Sequence, residues 1–201
     1  MTTFHTATEY QSLADAVGEG RARLEGENVD VTDEIAVRRL VDGVIGRHSR
    51  IDALVNAVGG YAGGAKLWEL DSAVLDRMLA LNLRSFHSLT RAAVPALLKE
   101  GRGAIVNVIA RAALDHPAGA SAYAASKAAA LAMTNSLAAE LAGTGIRVNS
   151  ILPRIIDTPA NRRAMPNANF ATWTQPEAIA DLILFLCGDA ASAVHGAAVP
   201  V

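Results

Sequence analysis

Short runs of aliphatic and β-branched residues recur along this chain with a longer helical pattern between them, and that alternation constrains the fold more than any other feature. ENVDV (27–31), IDALVNAV (51–58), AIVNVI (104–109) and IRVNSIL (146–152) read as strands, and AAVPV (197–201) as a last short one. The segments between them are too long for hairpins, so the strands are expected to run parallel with crossover helices. TEYQSLADAVGE (8–19) has helical spacing, and 32–48 places Val37, Leu40, Val41, Val44 and Ile45 on one stripe behind acids at its positive end. Residues 71–101 read as one long helix capped by Ser72, bent at Pro95 and stopped by Gly101. An Ala-rich helix spans 121–143, and Thr174 with Glu177 reads as a capping box around Pro176, launching EAIADLILFLCG. The expectation is a single α/β domain over 1–201, a doubly wound parallel sheet with helices on both faces.

A formal net charge of −2 leaves no basic footprint for nucleic acid, and the fifteen arginines are scattered among twenty acids. The lone Cys187, in an apolar stretch, allows neither an internal disulfide nor a cysteine metal site, so no metal is expected. No apolar run reaches the length of a membrane span, and the first ten residues lack the pattern of a signal peptide. The expected setting is the reducing cytoplasm, with a small molecule as substrate.

SAYAASKAAA (121–130) carries the chemistry, since Tyr123 is followed four positions later by Lys127, one of only three lysines. At that spacing both side chains share a helix face. An ammonium beside a phenol of pKa about 10 favours the phenolate, which makes the two a proton-transfer pair. Spacing alone is weak, because a solvated lysine beside an amphipathic tyrosine is the commoner arrangement. The pair opens a helix that follows a strand, however, and parallel sheets bind ligands beyond their carboxyl ends.

Here the chain resembles the short-chain dehydrogenase/reductase family, through DVTD (30–33), LVNAVGG (54–60), Asn82, IVNVIA (105–110), YAASK (123–127) and RVNSILPRIIDT (147–158), in the family's order. The resemblance implies a Rossmann-like sheet, a bound NADPH or NADH, and catalysis by Tyr123, Lys127 and Asn82. Tyr123 would donate or accept the proton. Lys127 would lower its pKa and hold the nicotinamide ribose, and Asn82 would orient a water toward the lysine. Asp30 and Val31 would border the adenine, Asn56, Ala57, Val58 and Gly59 would form the turn approaching the cofactor, and the Ile156 backbone, shaped by Pro153 and Thr158, would meet the carboxamide. The helices at 71–99 and 121–142 would build a homodimer or homotetramer.

Two departures stand out. The family's substrate-binding serine is replaced by Ala110, and Ser121, Arg111 or His116 are the nearby polar substitutes. GGYAGG (59–64), Ala110 and LPRIIDTPANRRAMPNANFATWTQPE (152–177) resemble the dihydropteridine reductase branch, whose quinonoid substrate delocalises the incoming charge. By that likeness DTPANRRAMP (157–166) and FATWT (170–174) would cover the substrate, with Trp173 as either a wall of the site or a core anchor. The second departure is a missing strand, Gly-rich phosphate turn and helix, about 30 residues expected before residue 1. Residues 2–5 would be a remnant of the second strand, and His5 and Thr6 leave the choice between NADH and NADPH open. A relative that keeps the fold but lacks catalysis is the other reading of that loss.

Overall fold

The structure, a computed structural model, describes residues 1–4 and 7–201, apart from the side chains of Phe4, Arg21 and Ala22. His5 and Thr6, and with them the end of the expected strand remnant, lie outside the described residues. Among the described residues six strands alternate with helices: β1 (Thr2–Phe4), α1 (Ala7–Val17), β2 (Gly26–Asn28), α2 (Glu34–His48) and β3 (Ala53–Asn56) form the first half. The second half runs α3 (Ser72–Leu79), α4 (Ser85–Glu100), β4 (Gly103–Val108), α5 (Ala112–Asp115), α6 (Ser121–Glu140), β5 (Ile146–Leu152), α7 (Pro159–Ala164), α8 (Pro176–Cys187) and β6 (Ala198–Pro200).

Every strand pairing is parallel, as the alternation requires, but the strands form two ladders: β1 with β2, and β3-β4-β5-β6. A cleft of about 840 Å³ lies between β1 and β3, lined by Thr2, Thr3, Leu40, Val41, Ala53 and Val55 among others. The two ladders are joined through the helical layer, where Val29, Val31, Val37 and Leu40 pack on Leu89 of α4 and on Leu54 and Val58. The main core lies across β4 and β5, where Ile105, Ile146 and Val148 meet Phe86, Leu97, Ala138 and Leu141 from α4, α6 and the turn after it. Both strands are buried along nearly their whole length, the polar Asn107, Asn149 and Ser150 included, because both of their faces are covered.

Three local expectations need correction. The helix expected over 71–101 is two helices joined by a π-helical turn, Ala80–Arg84, which a periodicity argument cannot resolve because only one hydrogen-bond step changes. Its cap is Asp71, not Ser72: the Asp71 carboxylate accepts from the Ala73 N–H at 2.8 Å. Thr174 does not cap α8. Its N–H donates to the Ile155 carbonyl at 3.0 Å and it bridges Ile156, while Gln175 takes the cap position without a side-chain bond.

Candidate active site

The carboxyl ends of β3 and β4, the π turn and the first turns of α6 converge at one rim of the longer ladder. α6 forms where alanines dominate, and its low side-chain bulk lets it approach β5 and α3 closely. Tyr123 is half-buried there and Lys127 is buried. The Lys127 Nζ donates to the Val108 carbonyl at 3.1 Å, and burial lowers its pKa from 10.5 to about 8. Burial raises the Tyr123 phenol above its ordinary value, and the neighbouring Tyr61 adds to the rise. Within the chain alone, desolvation therefore outweighs any pull of the ammonium on the phenol.

The π turn turns Asn82 inward, leaving it only 2% exposed. Its carboxamide accepts from the Gly60 N–H at 2.9 Å and donates to the Gly60 carbonyl at 3.0 Å and the Ser126 Oγ at 2.9 Å. Asn82 thus ties the loop after β3 to α6. At Gly59 a Cβ would stand 2.9 Å from both the Asn82 Oδ1 and the Lys127 Nζ, so only glycine lets this turn lie against the lysine.

A buried relay fixes the same turn from below. Asn56 donates to the Asn107 Oδ1 at 2.9 Å, and Asn107 donates to the Thr134 Oγ1 at 2.8 Å, crossing β3, β4 and α6. The Val58 N–H donates to the Asn56 Oδ1 at 3.3 Å, which sets the Ala57–Gly59 path. Asn107, Ser126 and Thr134 were not singled out from sequence, because nothing local distinguishes a buried amide or hydroxyl from an exposed one. Tyr61 was missed as well. Its ring stands edge-on to Tyr123, centroids 5.0 Å apart at 73°.

The remaining candidates fall into three groups. Asp30, exposed, accepts from the Thr32 N–H and Oγ1 at 2.8 and 2.7 Å, while the Val31 side chain is core, so any approach of Val31 to a ligand is by backbone. Ala110 is buried, 6% exposed, past the end of β4. Of its polar substitutes, Arg111 donates to Asp115, His116 is an exposed left-handed residue closing α5, and the Ser121 hydroxyl is buried without a partner among the described residues. In the segment after β5, Pro153 is buried, Thr158 caps α7, and the Ile156 carbonyl accepts from the Asn161 amide at 2.8 Å. Asp157 binds Arg162 through both oxygens, at 2.6 and 2.7 Å, and accepts from Gln175, which holds its carboxyl at about 2. Trp173 is buried against Phe170, centroids 4.8 Å apart, and so anchors this segment.

The chain fits one half of a nicotinamide cofactor well. The Lys127 ammonium carries three donors, and among the described residues one is used, on Val108, leaving two for the hydroxyls of a ribose. A second cleft, of about 440 Å³ and lined by Tyr10, Ala57, Val58, Gly59 and Leu81, leads to that point.

A doubly wound parallel fold with a tyrosine and lysine one helical turn apart at its carboxyl rim defines a nucleotide-dependent oxidoreductase class, and the comparisons agree. A family model described as enoyl-(acyl carrier protein) reductase matches residues 2–201. An uncharacterised NAD-dependent oxidoreductase of Mycobacterium tuberculosis is 36% identical over 91% of this chain and 72% of its own. A 3-oxoacyl-(acyl-carrier-protein) reductase of Thermotoga maritima is 35% identical over 84% of this chain and 71% of its own. The crystal structure of a short-chain dehydrogenase/reductase from Burkholderia xenovorans superposes with TM-score 0.88 at 29% identity, over 99% of this chain and 81% of that one. The fold is shared at TM-score 0.92 with the protein ElxO, solved with NADP bound, at 21% identity over 99% of this chain and 85% of that one. The chain belongs to the short-chain dehydrogenase/reductase family.

Proposed function

We propose that this chain is an NADPH- or NADH-dependent oxidoreductase that reduces a conjugated, dihydropteridine-like acceptor, with Tyr123 delivering the proton. The observation that carries the reading is a buried, under-bonded Lys127 one turn from a protonated Tyr123, beside an alanine where a substrate-binding hydroxyl would stand. The nicotinamide, when bound, supplies the hydride. Lys127 would hold the ribose hydroxyls, and the turn Ala57–Gly59, fixed by Asn56 and Asn82, would lie against the cofactor. Tyr123, with its phenol pKa raised by burial, stands as an acid at neutral pH, which suits reduction. Its Oη proton goes to the heteroatom of the acceptor that gains charge. A conjugated ring spreads that charge over several atoms, so it needs no hydroxyl at position 110.

The test is consumption of NADPH with quinonoid dihydropterin, followed by the absorbance of the reduced cofactor. Wild type is expected to turn over and Tyr123→Phe to lose about 100-fold or more in kcat, the usual contribution of a positioned general acid. Turnover unaffected by Tyr123→Phe would sink the reading. We assign self-association to the helices over 71–99, which are α3 and α4, and over 121–142, which is α6 and its end, and place the protein in the cytoplasm with Cys187 as a free thiol.

A further inference from the structure

The tyrosine of GGYAGG has no packing reason to be where it is. Tyr61 is 69% exposed, yet the loop that carries it is fastened at both ends. The residue before it, Gly60, is clamped through its N–H and its carbonyl by Asn82. At the other end, the Gly64 N–H donates to the Gly119 carbonyl at 2.8 Å, in the turn that leads into α6 and Tyr123. Gly63 leaves room for the Tyr61 hydroxyl, because a Cβ at 63 would collide with it. A mostly exposed ring buries little surface, so the hydrophobic effect does not hold it at a fixed place. The backbone does so instead, and that place is edge-on to the proton donor.

We infer that Tyr61 is a specificity-determining residue, whose ring forms, at right angles to Tyr123, an aromatic corner that receives a planar conjugated acceptor. Offset or edge-on contact between ring faces is the favoured geometry for such pairs. The corner also accounts for Ala110: selection comes from stacking on a ring, and not from a hydroxyl that would grip any carbonyl oxygen. The inference rests on the reductase reading above and adds the residue by which the site selects that acceptor.

The experiment uses the full chain with NADPH and two acceptors, quinonoid dimethyldihydropterin, which is planar, and diacetyl, which is aliphatic, alongside titration calorimetry with biopterin in the absence of turnover. Tyr61→Leu is expected to raise KM for the pterin about tenfold, the order expected for one aromatic pair, with much smaller change in kcat. The ratio of kcat/KM for pterin over diacetyl falls correspondingly. Tyr61→Phe, which keeps the ring, restores the ratio, and Gly63→Ala, which pushes the ring away, lowers it. Equal losses with both acceptors, or a Tyr61→Phe variant as impaired as Tyr61→Leu, would overturn the inference. Should wild type turn over neither acceptor, the reductase reading fails by itself, and the calorimetry decides the corner: biopterin binding weakened in Tyr61→Leu upholds it, and binding that is absent or unchanged removes it.

Discussion

Lys127 brings a charge into surroundings that disfavour it. Its folded pKa of about 8 lies below the 10.5 of the free side chain, and burial is the cause. For a base with a lowered pKa the penalty is present in full below the folded value and vanishes above the unfolded one. The difference corresponds to on the order of 3 kcal/mol, counting about 1.4 kcal/mol per pH unit. Stability from this group should therefore rise as pH climbs from about 8 to 10.5. Urea titrations across that range should show the rise in wild type and its loss in Lys127→Met, which would also fail to turn over NADPH. A wild type and variant with parallel pH profiles would show that the lysine is not desolvated as described. A residue held at such a cost, with two donors unspent, points to a ligand that repays it on binding.

At the scale of elements, the strands and helices that sequence patterning can see came out close to their expected bounds. β5 falls on 146–152 as read, and α2 ends at His48 as read. What patterning could not see was how elements are tied to one another. The π turn adds one residue between α3 and α4 without disturbing the apolar stripe, yet it decides that Asn82 faces α6 rather than solvent. The Asn56–Asn107–Thr134 relay joins residues 51 and 27 positions apart, so no local window contains it. Replacing Thr134 by Val keeps the shape and leaves an Asn107 N–H buried without its partner. That costs about 1–3 kcal/mol, or roughly 2–9 °C in Tm for a chain of this size. Thermal unfolding of Thr134→Val would check it, and an unchanged Tm would mean that the relay is ornamental to stability.

The molecule as a whole is two parallel ladders held side by side by α2 and α4, with the larger cleft between them and the reactive rim beside the smaller one. The larger cavity is not where the chemistry is; Tyr123 and Lys127 lie beyond it, on α6. The outer face of α6 exposes Ala125, Ala132, Asn135, Ser136 and Ala139, small side chains that permit another helix to approach closely. If this face joins subunits, Ala132→Arg should convert a dimer or tetramer into a species of 20.9 kDa in analytical ultracentrifugation. An unchanged sedimentation coefficient would place the contact elsewhere.

By itself the sequence determined the alternation of strand and helix, the parallel sense of the sheet, and a tyrosine and lysine on one face of an Ala-rich helix. These are short-range properties, set by side-chain periodicity and by the i, i+4 spacing of a helix. Only the tertiary structure decided that the sheet divides between β1 and β3, that Lys127 donates to Val108, that Asn82 clamps Gly60, and that Tyr61 stands edge-on to Tyr123. Each of those depends on groups far apart in the chain meeting across a desolvated space, where burial, not spacing, sets what a charge or an amide can do.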